Sequence, residues 1–376
     1  MKEKLRFESI DLLRGFAIIV MIEVHVFNAF LVSEIREQGW FQILNFINGL
    51  VAPSFLFVSG FAFYISVCNK VDELRKFGDI FYKRIKRIIE ILIIGYFLHL
   101  PFYSLKDFIQ QIDYKSWITF SNVDVLHCIA AGLFFLLLLR IIIKNDRLFI
   151  ISILIFTLIT TLAAPFIWKI NFNEFLPMPI ANYFNPNNGS LFPIFPWMGF
   201  IFSGVIAGKY FIEAQINSKQ NILIKRILIL GLAFVLFGHI LLSGILPESI
   251  NSLLPNPIFF ILRLGYVFAL LSFCWFVAQK KSVKLKFIYD ASRESLLIYW
   301  LHLQFIYLQL FSGKSTLDIF GHSLGILEST LGAIFLILIM IACAKLWDKL
   351  KGISMKTART INYAFVSILI IIFIIR

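Results

Sequence analysis

The stretch Ser9-Ile10-Asp11-Leu12-Leu13-Arg14-Gly15-Phe16-Ala17-Ile18-Ile19-Val20-Met21-Ile22-Glu23-Val24-His25 decides how this chain is read. It is apolar enough to enter a bilayer, yet it keeps Asp11, Arg14, Glu23 and His25. An arginine inside a membrane helix costs roughly 2.5 kcal/mol or more on insertion scales, so such residues face a bundle interior or a wet cavity and mark function. Arg14 and His25 lie on one face of a helix, because eleven steps of about 100° make three turns plus about 20°. The rise between them is ~16 Å, about half of the hydrocarbon core. Arg14 is therefore expected at the inner edge of the bilayer and His25 beyond its midplane.

The same apolar character runs outward through the rest of the chain. Its 376 residues are 59% hydrophobic and 15% charged, with mean hydropathy +0.85. Soluble domains run roughly 45–50% apolar and ~25% charged. Spans of ~20 residues without strand-length alternation favour helices over a barrel. The expected fold is all-α: a polytopic membrane helical bundle forming one domain over 1–376. About eleven transmembrane helices are expected, near 10–32, 42–67, 86–105, 124–143, 148–168, 193–214, 226–246, 257–279, 294–312, 323–346 and 359–375.

Charge falls between these spans in an alternating pattern. One set of connections holds Lys70, Arg75, Lys76, Lys83, Arg84, Lys86 and Arg87, then Arg140, Lys144 and Arg147, then Lys209, Lys219, Lys225 and Arg226. It continues with Lys280, Lys281, Lys284, Lys286 and Arg293, and ends with Lys345, Lys349, Lys351, Lys356 and Arg359. The opposite set holds only Arg36, Lys106, Lys115, Lys169, Lys314 and Arg376. The positive-inside rule then places the N-terminus in the cytoplasm and the C-terminus outside. The net charge of +13 is read as topology first and anion binding second, with no nucleic-acid partner. Lys2, Lys4 and Arg6 imitate the basic end of a signal peptide, but the ionisable groups that follow and the lack of a small-x-small site make this a retained helix. The four cysteines are widely spaced, without a CxxC pair, and read as free, buried thiols.

Several polar side chains lie within the spans. Asp11 and Arg14 are three apart and can pair across one turn. Arg14 either anchors the helix end by snorkelling or holds an anionic group; its planar donor fork suits phosphate. His25 is either a satisfied core polar group or a general base, the usual role of imidazole near neutral pH. Asn28 follows one turn on, and Glu23 points away from His25 toward another helix. His99, Asp124, His127, Arg263 and Glu328 occupy outer halves of their spans, and His302 is central in its own. Such groups pair with one another or line a cavity. Asp124 and His127 have helical ligand spacing, but no HExxH or CxxC accompanies them, and no metal site is expected. In 42–67, small residues at Gly49, Ala52, Ser59 and Gly60 allow close helix approach. Pro53 there either frees a carbonyl or bends the helix.

Taken together, these stretches resemble a known group. Ser9 to Gly15 followed by His25 resembles the Arg-x10-His signature of acyltransferase family 3 membrane proteins. Leu50-Val51-Ala52-Pro53-Ser54-Phe55-Leu56-Phe57-Val58-Ser59-Gly60, Val125-Leu126-His127-Cys128-Ile129-Ala130 and Phe192-Pro193-Ile194-Phe195-Pro196-Trp197-Met198-Gly199 resemble more closely the related heparan-alpha-glucosaminide N-acetyltransferase-like family. So does Ser292-Arg293-Glu294-Ser295-Leu296-Leu297-Ile298-Tyr299-Trp300-Leu301-His302, and the similarity covers about 9–345.

The resemblance implies a membrane acyltransferase with acyl-CoA as donor substrate, acetyl-CoA being the expected form, and no permanently bound cofactor. The acyl group passes from the cytoplasmic side to a hydroxyl or amine of a sugar or envelope glycan at the far face. His25 is carried over as the catalytic base, with Asp124 or another acid orienting it. Asp11, Arg14 and Arg293 would serve acyl-CoA, and Asn28, His127, Arg263 and His302 the substrate cavity. One departure bears on specificity. The glucosaminide-type enzymes place a catalytic histidine between the first two helices and an acid in the second; this chain has no histidine in 33–48 and Gly49 where the acid would align. That favours His25 as the base. The expected setting is the cytoplasmic membrane of a bacterium, with a homodimer as the assembly to test. A transporter or flippase for a polar envelope molecule fits the intramembrane charges equally well, and a catalytically silent scaffold is a third reading.

Overall fold

Helices lie in every expected span in the computed structural model, which describes residues 7–280, 285–308 and 314–375, so that the end of the span 294–312 lies outside the described residues. Lys281, Lys284 and Arg376, used above for orientation, and Lys2, Lys4 and Arg6, compared above with a signal peptide, lie outside the described residues. No strand occurs among the described residues. The main helices are α1 (Glu8–Phe30), α2 (Gly39–Asn48), α3 (Val51–Val67), α4 (Asp79–Leu98), α5 (Val125–Ile142), α6 (Asp146–Leu162) and α7 (Ile194–Ile216). They continue as α8 (Gln220–Ile240), α9 (Pro257–Gln279), α10 (Lys286–Arg293), α11 (Ser295–Tyr307), α12 (Ile326–Ile353) and α13 (Met355–Ile375). Seven segments are long and apolar enough to cross a membrane, and the chain is an integral, multi-pass membrane protein. Of the other expected spans, α4 carries many charges, and α6 and α11 are shorter than the rest.

Two expectations gain detail. The span 42–67 lies within one segment long and apolar enough to cross, Gly39–Val67, built of α2 and α3 with a two-residue break at Gly49–Leu50. Pro53 therefore sits in the first turn of α3, where a missing N–H costs nothing, and does not bend a continuous helix. The span 86–105 begins earlier and ends at His99, because Pro101 follows and the residue before a proline leaves the helical region.

The chain divides into two compact units. The first comprises Ala52–Pro101 and Asp113–Phe276, hence α3 to α9. Its core is set by close backbone approach between α3 and α7. A methyl group added at Gly60 would overlap the carbonyl of Ile201, and one at Gly204 the carbonyl of Phe57. Membrane helices gain little from hydrophobic exclusion, so van der Waals contact through small residues holds them together. Phenylalanines seal the same seam, with Phe61 and Phe211 rings 5.1 Å apart. Arg140 brings a correction. It was counted among the charges of the connections, but it lies within α5, is buried, bonds Asp146 at 2.8 Å and lies over the Phe149 ring at 4.6 Å. Asp146 also accepts from Tyr64 at 2.9 Å, which ties α3, α5 and α6 at one level.

The second unit comprises Phe7–Val51, Phe102–Ile112 and Val277–Arg376. Its centre is α1, packed against α10, α11 and α12. Gly15 is the contact point with α10: a methyl there would come within 2.5 Å of the Ile288 carbonyl oxygen. Beyond the C-terminal end of α1 a short parallel bridge joins Leu31 to Leu324, with Val32 N–H donating to the Leu324 carbonyl at 3.0 Å. Arg293 to Asp348 at 2.9 Å and Lys351 to Glu294 join α12 to the α10–α11 segment.

Candidate active site

Within the second unit, Arg14 and His25 project from α1 onto one partner segment. Arg14 Nε donates to Ser292 Oγ at 2.9 Å, at the end of α10. Its Nη2 reaches Asp11 Oδ1 at 2.7 Å, the expected pair across one turn. Eleven residues further on, the His25 ring lies 5.2 Å from the His302 ring on α11, tilted by 51°. Ten residues separate Ser292 from His302, so α1 and the α10–α11 segment run parallel and in step. Helical rise makes the two intervals nearly equal, and the contacts at both ends follow.

His302 has a defined tautomer. Its Nδ1 lies 2.7 Å from the Ile298 carbonyl oxygen. A carbonyl only accepts, so Nδ1 carries the proton and Nε2 the lone pair. His302 is fully buried, whereas His25 is half-buried. Tyr307 presents its ring edge-on to His25 at 6.5 Å. Asn28 is also half-buried and accepts from Arg36 at the long distance of 3.5 Å. Glu23 turns away from His25 as expected, toward Asn48.

Between the two ends the face is apolar and packed. Ile18 and Met21 are 0% and 4% exposed. Among the described residues these two buried side chains lie between Arg14 and His25 along α1, and a ligand spanning both must part this seam.

Arg293 stands apart from Arg14's donor fork, in ion pairs with Asp290 at 3.2 Å and Asp348 at 2.9 Å. Sequence reading missed Ser292 and Tyr307, whose contacts depend on the pairing of α1 with helices almost 280 residues away. The ten-residue interval between Ser292 and His302, matched to Arg14 and His25, was the available signal.

The first unit holds the remaining expected residues. Asp124 caps the N-terminus of α5: its Oδ1 accepts from the backbone N–H of Leu126 at 2.8 Å and of His127 at 3.1 Å. His127 Nδ1 approaches the same oxygen to 2.7 Å. Asp124 Oδ2 faces His99 Nε2 at 3.4 Å, from the C-terminal cap of α4. The carboxylate expected to orient His25 is thus occupied by two histidines of its own unit. His99 was grouped with the outer-half residues expected to pair with one another, and the structure gives it Asp124 as partner from a different helix. Arg263, on α9, holds its guanidinium 5.8 Å from the Trp197 ring centre, a cation–π contact, and its Nε is buried without a hydrogen-bond partner. Glu328 is exposed in the first turn of α12.

The family model described as Heparan-alpha-glucosaminide N-acetyltransferase, catalytic, matches residues 6–243. No curated protein matches the chain. The matched range contains Arg14, His25, His99, Asp124 and His127, and it ends before Arg263, Ser292 and His302.

Proposed function

Since the chain belongs to the heparan-alpha-glucosaminide N-acetyltransferase catalytic family, a membrane acetyltransferase family, we propose that it moves an acetyl group from cytoplasmic acetyl-CoA to a hydroxyl or amine of an envelope sugar at the far face. The observation that carries this reading is the register of α1 against α10–α11. A guanidinium with polar partners marks one end of the seam and a half-buried imidazole the other, about 16 Å apart by helical rise.

In this reading Arg14 binds the CoA diphosphate, since guanidinium donors recognise phosphate bidentately. Ser292 and Asp11 hold the guanidinium in place. The thioester end reaches His25. The imidazole takes the proton of the acceptor's hydroxyl or amine as its oxygen or nitrogen attacks the thioester carbonyl. The C–S bond then breaks, and the departing thiolate recovers that proton from the imidazolium. His302, fixed by Ile298, positions the His25 ring. The N-terminus lies in the cytoplasm, eleven helices cross, and the membrane is the inner membrane of a bacterium.

The test is to incubate the purified, detergent-solubilised protein with acetyl-CoA and no acceptor. Saturable binding with slow release of free CoA thiol is expected, because water enters the acceptor's place. Absence of CoA binding overturns the proposal and favours a transporter.

A further inference from the structure

Among the described residues, every buried or half-buried arginine but one donates to an oxygen of the chain. Arg14 reaches Ser292 and Asp11. Arg36 reaches Asn28, Arg84 the Ser66 carbonyl, and Arg140 Asp146. Arg263, half-buried on α9, is the exception. It makes no ion pair and no hydrogen bond among the described residues, and its Nε is buried without a partner. Its contact is with the face of Trp197, whose ring centre lies 5.8 Å from the guanidinium carbon.

A guanidinium inside an apolar helix is costly, and such groups pair with acids or backbone carbonyls of their bundle. A buried donor left without an acceptor costs roughly 1–3 kcal/mol. The first unit leaves that acceptor unsupplied. Tyr266 follows one turn on along α9, and its hydroxyl is engaged with His239 Nε2 at 2.9 Å.

Position narrows the acceptor. Arg263 lies six residues into α9 and Trp197 three residues into α7, so both stand within about 9 Å of the N-terminal ends of their helices. In the expected orientation these are the outer ends. Tryptophan collects at the level of the lipid headgroups, and the guanidinium packed on Trp197 is held at that level. Trp197 is itself braced, edge-on to the Phe192 ring at 4.7 Å and 6.0 Å from the Phe200 ring.

We infer that Arg263 binds a phosphate group that comes from outside the chain, carried by an anionic lipid headgroup or by a soluble molecule. Phosphate presents oxygens at the spacing of the guanidinium fork and is bound bidentately. Trp197 backs the cation from one face, a contact that strengthens where water is excluded. With Nε enclosed and the side chain as a whole half-open, the two Nη groups form the edge that meets the ligand.

This inference does not rest on the acetyl-transfer reading, and its readout is binding. The intact protein, washed in excess detergent to strip lipid, is titrated with inorganic phosphate and, separately, with phosphatidylglycerol. Native mass spectrometry and the melting temperature report binding, with sodium chloride at matched ionic strength as the blank. Saturable binding of one ligand per chain is expected. Arg263→Gln should weaken it by about 10- to 100-fold, the loss of charge-assisted hydrogen bonds. Arg263→Lys should recover part of that loss, and Arg14→Ala should leave the binding unchanged. Phosphatidylglycerol binding identifies a lipid headgroup as the source; phosphate binding without it identifies a soluble phosphate. Binding of neither probe to folded wild-type protein overturns the inference, and so does equal binding to wild-type and folded Arg263→Gln protein. Should Arg263→Gln not fold, Arg263→Lys decides, because it keeps the charge and loses the fork: undiminished affinity in that variant overturns bidentate recognition.

Discussion

The two histidine clusters handle the same chemistry in opposite ways. In the first unit, Asp124 is surrounded by His99, His127 and two backbone N–H groups, and His127 has no exposure. In the second, Arg14 keeps 26% of its side chain exposed beside Asp11, and His25 is half-buried against a fully buried His302. A group whose partners enclose it fixes a fold. A group with an open edge can meet a reactant. In the proposed reading the contrast puts transfer chemistry on α1 and its partners and leaves the ends of α4 and α5 a structural role.

The largest expected effect breaks or makes that contrast. His25→Ala should lower acetyl transfer from acetyl-CoA by 10²- to 10⁴-fold, the usual contribution of a general base, with the melting temperature in detergent little changed. A variant of the closed cluster, such as Asp124→Asn, with an equal loss of rate in folded protein would move the chemistry to the first unit. Next in size is Arg14→Ala, expected to weaken CoA binding by about 10- to 100-fold through loss of charge-assisted hydrogen bonds. Arg14→Lys keeps the charge and loses the fork, and should recover only part of that loss in a direct binding titration.

Structural effects come next. Gly60→Ala forces α3 away from the Ile201 backbone and should destabilise the first unit by about 1–3 kcal/mol, as overpacking does. Gly39, beside which a methyl meets nothing within 4 Å, supplies the control: Gly39→Ala should leave the melting temperature unchanged. The smallest effect belongs to Glu328→Gln. This side chain is exposed, and its replacement should shift stability by no more than about 0.5 kcal/mol and leave the transfer rate intact.

How far the sequence reveals these clusters depends on chain separation. Asp11 with Arg14, and Asp124 with His127, are three apart, and helical geometry alone pairs them. Gly60 was legible as a site of close approach, although its partner carbonyl at Ile201 was not. Arg14 with His25 was legible as a shared face, but the apolar packing of Ile18 and Met21 between them was not, because burial depends on what lies opposite. His99 and His302 were visible as polar groups within spans, and their partners were hidden by distance along the chain. Gly49–Leu50 reads as small and apolar, so the turn between α2 and α3 escaped a pattern based on hydropathy. Arg140 shows the same limit in reverse: a basic residue at a helix end counts as a loop charge until Asp146 and Phe149 are seen around it.

The most direct measurement is a structure of the intact protein with CoA bound. The account predicts a parted α1–α10/α11 seam, with the diphosphate within hydrogen-bond distance of the Arg14 guanidinium and the thiol beside the His25 ring. A CoA molecule lodged away from both side chains, with Ile18 and Met21 still packed as here, would contradict it.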